Sequence, residues 1–204
     1  MQNIDRVFFI NLEKRTDRLM EIKEEFKKIN INNYERFNAI PTAGFGILGC
    51  TKSHCEVFKI AKQRNYKNIL IFEDDFTFLV DKETFHEELT QIFNYKNFKY
   101  DVIMFSYNLK SFEPSIEFPS LMKVKNASTA SCYLINGNYL DILINLYETA
   151  IPLLESTQQH WIYANDVIWN ILMEKDNWYA TNKRIGIQRP SFSDNSNEFM
   201  NHGC

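Results

Sequence analysis

Residues 69–75 read Ile-Leu-Ile-Phe-Glu-Asp-Asp (ILIFEDD), four apolar residues followed by three adjacent carboxylates. A short apolar run of this kind predicts a strand that is buried on both faces. The acids at its end repel one another, and partial burial makes each charge costlier. A chain that places them there needs something to hold three like charges at the tip of a buried strand.

Strands and helices alternate on both sides of this stretch. The predicted strands are 6–12, 36–40, 67–75 and 100–108, and the predicted helices are 16–29, 50–64 and 82–93. Thr16 or Asp17 is expected to cap the first helix. The alternation predicts an α/β fold with a mainly parallel sheet covered on both faces. Ligands of such sheets bind beyond the carboxyl ends of the strands, where ILIFEDD places its acids.

The second half of the chain is less regular. Residues 120–126 and 128–136 are predicted to be strands that could pair with each other. Residues 137–151 and 165–175 have helical patterns, and residues 177–188 are predicted to form a hairpin.

The composition is that of an ordinary globular domain, with 204 residues, 45% apolar residues and a net charge of −3. This size predicts one domain, residues 1–204. The charge gives no reason to expect nucleic acid as a partner. The four cysteines show no zinc-like spacing. Because the chain has no signal-like start and no apolar run of membrane-spanning length, we expect a cytoplasmic location.

The acidic triplet predicts a metal site. Glu73 and Asp75 should point to the same side, because side chains alternate along an extended backbone. A hard divalent cation would turn the repulsion among Glu73, Asp74 and Asp75 into attraction, and oxygen ligands suit magnesium or manganese. Asp75 is the first candidate for a direct ligand. The alternative is a turn whose acids cap the next segment and face water. A phosphatase of the haloacid dehalogenase type also places acids at a strand end, but it needs an aspartate where this chain has Glu73.

Three segments together resemble glycosyltransferase family 25: FFINLEKRTDRL (8–19), GCTKSHCEVFKIA (49–61) and ILIFEDD. That family includes bacterial lipooligosaccharide galactosyltransferases and collagen hydroxylysine galactosyltransferases. The resemblance implies a single-domain A-type glycosyltransferase fold, which is a Rossmann-like mixed sheet flanked by helices that binds a nucleotide sugar. It also implies a UDP-hexose donor, Mn²⁺ (or Mg²⁺) held through the acidic motif, and inversion at the anomeric carbon.

The resemblance assigns roles to residues in the first eighty positions. It implies that Asn11, Arg15 and Arg18 contact the nucleotide. The alternative for the two arginines is that they are solvated residues paired with Asp17 or Glu13. Within the second segment, Gly49 would allow close backbone approach, and a helix start there could offer N–H groups to an anion.

Further site residues follow from the same resemblance. Ser53 and His54 would shape the donor pocket, with His54 in the first or second turn of its helix. Glu73 and Asp74 would bind the donor, and Glu73, Asp75 and Asp194 would hold the metal. Asp166 is the candidate general base, the alternative being that Asn165 or Asp166 caps a helix. For Asp194 the alternative is a polar turn. Among the late aromatics, Trp169 is expected in the core and Trp161 near the acceptor.

The sequence thus predicts a metal-dependent inverting glycosyltransferase that moves a hexose, galactose or glucose, from a UDP-sugar to a hydroxyl group. Expected acceptors are a glycan, a lipid-linked saccharide at a membrane surface or a protein. One alternative is a catalytically inactive relative that binds a sugar or a partner. Another is a metal phosphohydrolase.

Overall fold

A computed structural model of the chain describes residues 3–193, 198–201 and 203. Seven α-helices lie in these residues, together with a short 3-10 turn at Gly137–Tyr139. The helices are α1 (Thr16–Ile29), α2 (Gly46–Gln63), α3 (Lys82–Asn94), α4 (Leu140–Thr157), α5 (His160–Tyr163), α6 (Asn165–Ile168) and α7 (Asn170–Met173). The strands are β1 (Arg6–Asn11), β2 (Tyr34–Asn38), β3 (Asn68–Glu73), β4 (Phe76–Phe78), β5 (Val102–Met104), β6 (Asn108–Pro114), β7 (Leu121–Ser128), β8 (Cys132–Asn136), β9 (Trp178–Thr181), β10 (Gly186–Gln188), β11 (Ser191–Ser193) and β12 (Glu198–Met200).

One large sheet organises the fold. Its eight strands run in the order β2-β1-β3-β8-β5-β9-β7-β6. β1 is parallel to both β2 and β3, and β5 is parallel to β9. β8 lies between β3 and β5 and is antiparallel to both. The α/β class, a mixed sheet flanked by helices, is therefore confirmed, although the parallel order that the alternation predicted is found only within β2-β1-β3 and between β5 and β9, and the other pairs of this sheet are antiparallel.

The apolar run of β3 is continuous because both faces of the sheet are covered. Ile69 and Ile71 lie in a cluster with side chains of α2 and α4, whereas Leu70 and Phe72 lie in a second cluster with side chains of α1 and α3. All four side chains are fully buried. Alternation along the strand thus supplies both cores from one apolar run.

The capping expectation for α1 was wrong. The helix spans the predicted residues, but its N-cap is Arg15, with no capping hydrogen bond from a side chain. Asp17 instead accepts hydrogen bonds from the Arg15 guanidinium. The Asp17 carboxylate is therefore paired with Arg15, and Thr16 is the first residue of the helix rather than its cap.

Two predicted strand pairings and one predicted helix in the second half were also wrong. β7 pairs with β6 and β9 and not with β8. β8 takes the central place because Cys132, Tyr133, Leu134 and Ile135 are all buried, which suits a strand covered on both faces. β9 and β10 form no hairpin, since β9 joins the large sheet and β10 pairs with β4. The predicted helix at 165–175 is divided into α6 and α7.

None of the helices within the described residues combines the length and the apolar character that a membrane span requires.

Candidate active site

The acidic triplet lies at the carboxyl end of β3, beside β1. Glu73 is the last residue of β3, and Asp74 and Asp75 form the turn into β4. The Glu73 N–H donates to the carbonyl of Ser131, and the Arg189 N–H donates to the carbonyl of Asp75 at 2.6 Å. Backbone hydrogen bonds on both sides therefore fix the direction of these side chains.

Asp74 connects β3 to the start of α1. Its carboxylate accepts from Asn11 Nδ2 at 2.7 Å and from Arg18 Nη1 at 3.0 Å. Asn11 and Arg18 are both buried, so the solvated interpretation of Arg18 was wrong. Arg15 does pair with Asp17, as its alternative predicted, and it also donates to the carbonyl of Phe192.

Asp75 carries the least satisfied carboxylate of the triplet. Oδ2 accepts from Arg18 Nη1 at 3.1 Å, whereas Oδ1 is buried with no hydrogen-bond partner among the described residues. Burial, reinforced by the negative charge of Glu73, raises the pKa of Asp75 to about 7. The nearby Gln188 amide lowers this pKa slightly but hydrogen bonds to Glu73, 3.2 Å from Oε2. The side chain of Asp75 is only 14% exposed, so the solvent-facing alternative does not describe it.

Glu73 is mostly buried and makes several polar contacts. Its Oε1 lies 3.0 Å from His54 Nε2 and accepts from the Cys50 thiol at 3.5 Å. Burial alone would raise the pKa of Glu73, but its interactions with His54, Cys50 and Arg18 leave the pKa below the usual value. Burial and the charge of Glu73 raise the pKa of Cys50, which therefore remains a thiol.

His54 is fully buried and lies between two partners. Nε2 faces Glu73, and Nδ1 lies 2.5 Å from the hydroxyl of Tyr133. Because α2 begins at Gly46, His54 is in the third turn rather than the first or second. Ligand atoms of Cys50, His54 and Glu73 lie within 4.8 Å of one another, a spacing at which they could hold a metal.

Asp166 approaches the same place from α6. Its Oδ2 accepts the backbone N–H of Thr129 at 3.0 Å. Burial raises the pKa of Asp166, and the negative charge of Glu73 adds to the rise. The N-cap of α6 is Ala164, so neither Asn165 nor Asp166 has the capping role of the alternative interpretation.

Hydrogen bonds between side-chain hydroxyls and the backbone connect the segment between β2 and α2 to the first turns of α2. The Ser53 hydroxyl donates to the Gly49 carbonyl at 2.6 Å and accepts the Ile40 N–H at 2.8 Å. A Cβ at Gly49 would lie 2.3 Å from the Ile40 oxygen, which confirms the predicted close approach. The anion-binding helix start at Gly49 was wrong, because α2 begins earlier and the Gly49 N–H donates to Thr42.

Three further late positions were assigned from sequence, and two other residues were missed. Asp194 lies outside the described residues. Trp169 is in the core as predicted, whereas Trp161, on α5, is 63% exposed. No sequence pattern marks Tyr133, which stands in an apolar strand, or Gln188, which stands in a segment predicted to be a hairpin.

An α/β fold with acids, an arginine and a histidine at one end of its sheet is compatible with several enzyme classes, and similarity to known proteins selects among them. Residues 42–156, more than half of the chain, match glycosyltransferase family 25, described as an LPS biosynthesis protein family. The chain is thereby placed among the glycosyltransferases. It belongs to glycosyltransferase family 25.

Other similarities are more distant. A protein of Acanthamoeba polyphaga mimivirus, provisionally named a glycosyltransferase, is 32% identical over 113 residues, which are 45% of this chain and 34% of that protein. This chain thus spans about a third of that relative's length. A glycosyltransferase of Streptococcus pneumoniae TIGR4, GlyE, aligns with a TM-score of 0.48 and 15% identity over 88% of this chain and 45% of that chain. A glycosyltransferase involved in the glycosylation of the major capsid of PBCV-1 aligns with a TM-score of 0.45 and 10% identity over 86% of this chain and 92% of that chain. At these TM-scores the likeness adds nothing to the sheet order described above.

The family match includes Ser53, His54 and the acidic triplet. It begins after Asn11, Arg15 and Arg18 and ends before Asp166. Roles for these outer residues depend on their geometry and not on the matched range.

Proposed function

We propose that the chain, as one domain over residues 1–204, is a metal-dependent inverting glycosyltransferase. It moves a hexose, galactose or glucose, from a UDP-sugar to a hydroxyl group of a glycan, a lipid-linked saccharide or a protein. The observation that carries this proposal is Asp75 Oδ1, a buried carboxylate oxygen that has no hydrogen-bond partner in the described part of the chain and lies beside Glu73, whose pKa is lowered, at the end of β3. Such an oxygen is costly unless a cation or donor occupies it in the working state.

The residues fit a hard divalent cation. Arg18 bridges Asp74 and Asp75, so one guanidinium faces two carboxylates while Glu73 adds a third negative charge close by. Carboxylate oxygens suit Mn²⁺ or Mg²⁺. Asp75 would hold the ion through Oδ1, with Glu73 beside it and Asp194 as a further proposed ligand. When bound, the ion neutralises the negative charge that develops on the departing diphosphate.

The β1–α1 segment is the proposed nucleotide side. Asn11 and Arg18 hold Asp74 in place, and Arg15 and Arg18 both reach the carbonyl of Phe192. Arginine can grip a phosphate or stack on a base, because its guanidinium is planar and has several donors. Ser53 fixes the segment between β2 and α2, and His54 orients Glu73.

Asp166 is the proposed base. In an inverting transfer the acceptor oxygen bonds to the anomeric carbon as the bond to the diphosphate breaks, and the acceptor's proton passes to a carboxylate. The raised pKa of Asp166 makes it a stronger base than a solvated aspartate. Its hydrogen bond to Thr129 holds Oδ2 in position while the proton is received.

A donor screen tests this function. The purified chain is incubated with each UDP-hexose and Mn²⁺, and UDP release is measured before acceptors are offered. We expect Mn²⁺-dependent release with one UDP-hexose, and a loss in Asp75→Asn but not in Asp141→Asn, an exposed aspartate far along the chain. No release from a well-folded sample with any UDP-hexose, or release unaffected by EDTA, contradicts the proposal.

One observation favours the inactive, sugar-binding alternative. Both oxygens of Glu73 already accept hydrogen bonds, from His54 and Gln188. A silent relative would bind UDP or a saccharide equally well with and without Mn²⁺, which calorimetry measures directly. A metal phosphohydrolase would instead release phosphate from a generic ester such as p-nitrophenyl phosphate.

A further inference from the structure

We propose that Tyr133 is a positioning residue for the transfer reaction, because its hydroxyl, acting through His54, fixes the orientation of the Glu73 carboxylate. This inference rests on the proposed function and assigns a role to a residue on β8, a strand that carries none of the predicted site residues.

The hydrogen-bonded series Tyr133–His54–Glu73 joins three separate elements, β8, α2 and β3. Tyr133 on β8 stands opposite Ile71 on β3, and Ile71 and Glu73 are two residues apart on the same strand. Tyr133 therefore projects on the face of the sheet that Glu73 shares, one pleat before it. His54 on α2 fills the space between them, 2.5 Å from the hydroxyl and 3.0 Å from Glu73 Oε1.

The side chains of this hydrogen-bonded series are held rigidly by their surroundings. Tyr133 and His54 are fully buried, and their rings stack at 5.8 Å with an interplanar angle of 21°. The edge-to-face contact of Tyr133 with Trp169, at 5.3 Å and 88°, restrains the other side of the ring. A hydroxyl fixed in this way can determine where the imidazole lies and which of its nitrogens carries the proton.

The donors and acceptors of Tyr133, His54 and Glu73 are compatible with one arrangement of hydrogens between them. A carboxylate oxygen accepts hydrogen bonds, so the hydrogen in the 3.0 Å contact between Glu73 Oε1 and His54 is on Nε2. The Tyr133 hydroxyl makes no other hydrogen bond among the described residues. If it accepted from Nδ1, its own buried hydrogen would have no acceptor, which is costly. Tyr133 therefore donates to Nδ1, and the ring hydrogen of His54 lies on Nε2.

This tautomer also distinguishes the hydrogen-bonded series Tyr133–His54–Glu73 from a metal centre formed by Cys50, His54 and Glu73. A ligating histidine needs a free lone pair on the nitrogen that faces the ion. Here Nε2 presents a proton to Glu73, and the thiol of Cys50 also points to Oε1. Cys50 and His54 both contact Glu73 Oε1, so these hydrogen bonds orient Glu73 without an ion between the three side chains.

The test is Tyr133→Phe, which removes one hydroxyl and keeps the ring. Loss of an outer partner of this kind typically lowers activity or metal affinity about 10- to 100-fold, and we expect a fall of that size in kcat with little change in KM for the acceptor. Tyr107→Phe is the matched control, since Tyr107 is also buried and its hydroxyl donates to a carbonyl, that of Thr181. Its kcat should stay at the wild-type value, and both variants should melt at similar temperatures.

Two further measurements separate positioning from a structural effect. In a Glu73→Gln background, Tyr133→Phe should cause no further loss, because the two residues act as one unit. Nitrogen-15 shifts of the His54 ring should report protonated Nε2 and bare Nδ1 in the wild type, and a changed pattern in Tyr133→Phe. Wild-type kcat in Tyr133→Phe, or an equal loss in both backgrounds, overturns the inference. If the wild type itself releases no UDP, the proposed function fails, and a ring protonated on Nδ1 would separately overturn the inference.

Discussion

Arg18 Nη1 lies 3.1 Å from Asp75 Oδ2, and the same nitrogen lies 3.0 Å from Asp74 Oδ1. The other terminal nitrogen of Arg18 donates to the Ser191 hydroxyl and to the Phe192 carbonyl. One side chain therefore balances two acids and ties the segment after β10 to the end of β3. Removing any of these partners should therefore disturb the hydrogen bonds of the others.

Arg18→Met should destabilise the protein strongly. The substitution keeps the length of the side chain but leaves Asp74 and Asp75 without their cation, and breaking a buried pair in this way costs about 3–5 kcal/mol. Urea denaturation at pH 8 measures the loss. Arg64→Met, which breaks a surface pair with Glu35, is the matched control and should change little. Similar losses in the two variants would mean that the buried pair has no special weight.

Stability without metal should fall as the pH rises from about 4 to about 7, and Asp75 should be one cause. The native state retains the Asp75 proton up to about pH 7, whereas the ordinary pKa of an aspartate is 3.8. The native state thus binds more protons than the unfolded chain in this window, so its stability decreases with rising pH. A shift of this size corresponds to at most about 4 kcal/mol.

Denaturation in EDTA at pH 5 and pH 7.5 checks this dependence. Asp75→Asn should lose less stability between the two pH values than the wild type, because the amide does not ionise. Asp141→Asn, on the surface, should follow the wild type. Equal slopes for the wild type and Asp75→Asn would show that the carboxylate titrates normally.

Gly49→Ala should destabilise, although alanine is favoured in helices by about 1 kcal/mol. The added Cβ would meet the Ile40 oxygen at 2.3 Å and the Thr42 hydroxyl at 2.8 Å. The resulting displacement of the segment before α2 should cost about 1–3 kcal/mol. Thermal unfolding gives the sign directly, and a stabilised variant would mean that this segment moves freely.

Asp166→Asn should lower the rate of transfer by about 100- to 10,000-fold, the usual contribution of a general base. The amide oxygen can still accept the Thr129 N–H, so folding and donor affinity should be retained. The measurement is kcat with a saturating donor, beside Asp141→Asn as the control. A rate near that of the wild type would place the base elsewhere.

The features that depend on local sequence patterns were predicted correctly. The bounds of α1, the burial of β3 and the acids at its end follow from periodicity and from charge adjacency. The resemblance implied that Asn11 and Arg18 contact the nucleotide, which stays a prediction; their hydrogen bonds to Asp74 were not predicted.

The predictions that failed depend on contacts that are distant in the chain. β8 could not be assigned to its place between β3 and β5, because its apolar run fits any central strand equally well. Tyr133 was missed for the same reason, since its partner His54 lies on another element. The N-cap of α1 failed because Asp17 was captured by Arg15, a competition between side chains that propensity does not describe.

The insertion of β8 beside β3 has a consequence for synthesis of the protein. Phe72 pairs with Cys132, and Asn68 pairs with Asn136, so one edge of β3 acquires its neighbour only when residue 136 has left the ribosome. Until then the nascent chain exposes an apolar strand edge that can recruit a second chain. Truncated fragments that end before β8, though they contain every acid of the triplet, should therefore aggregate rather than yield a minimal working unit.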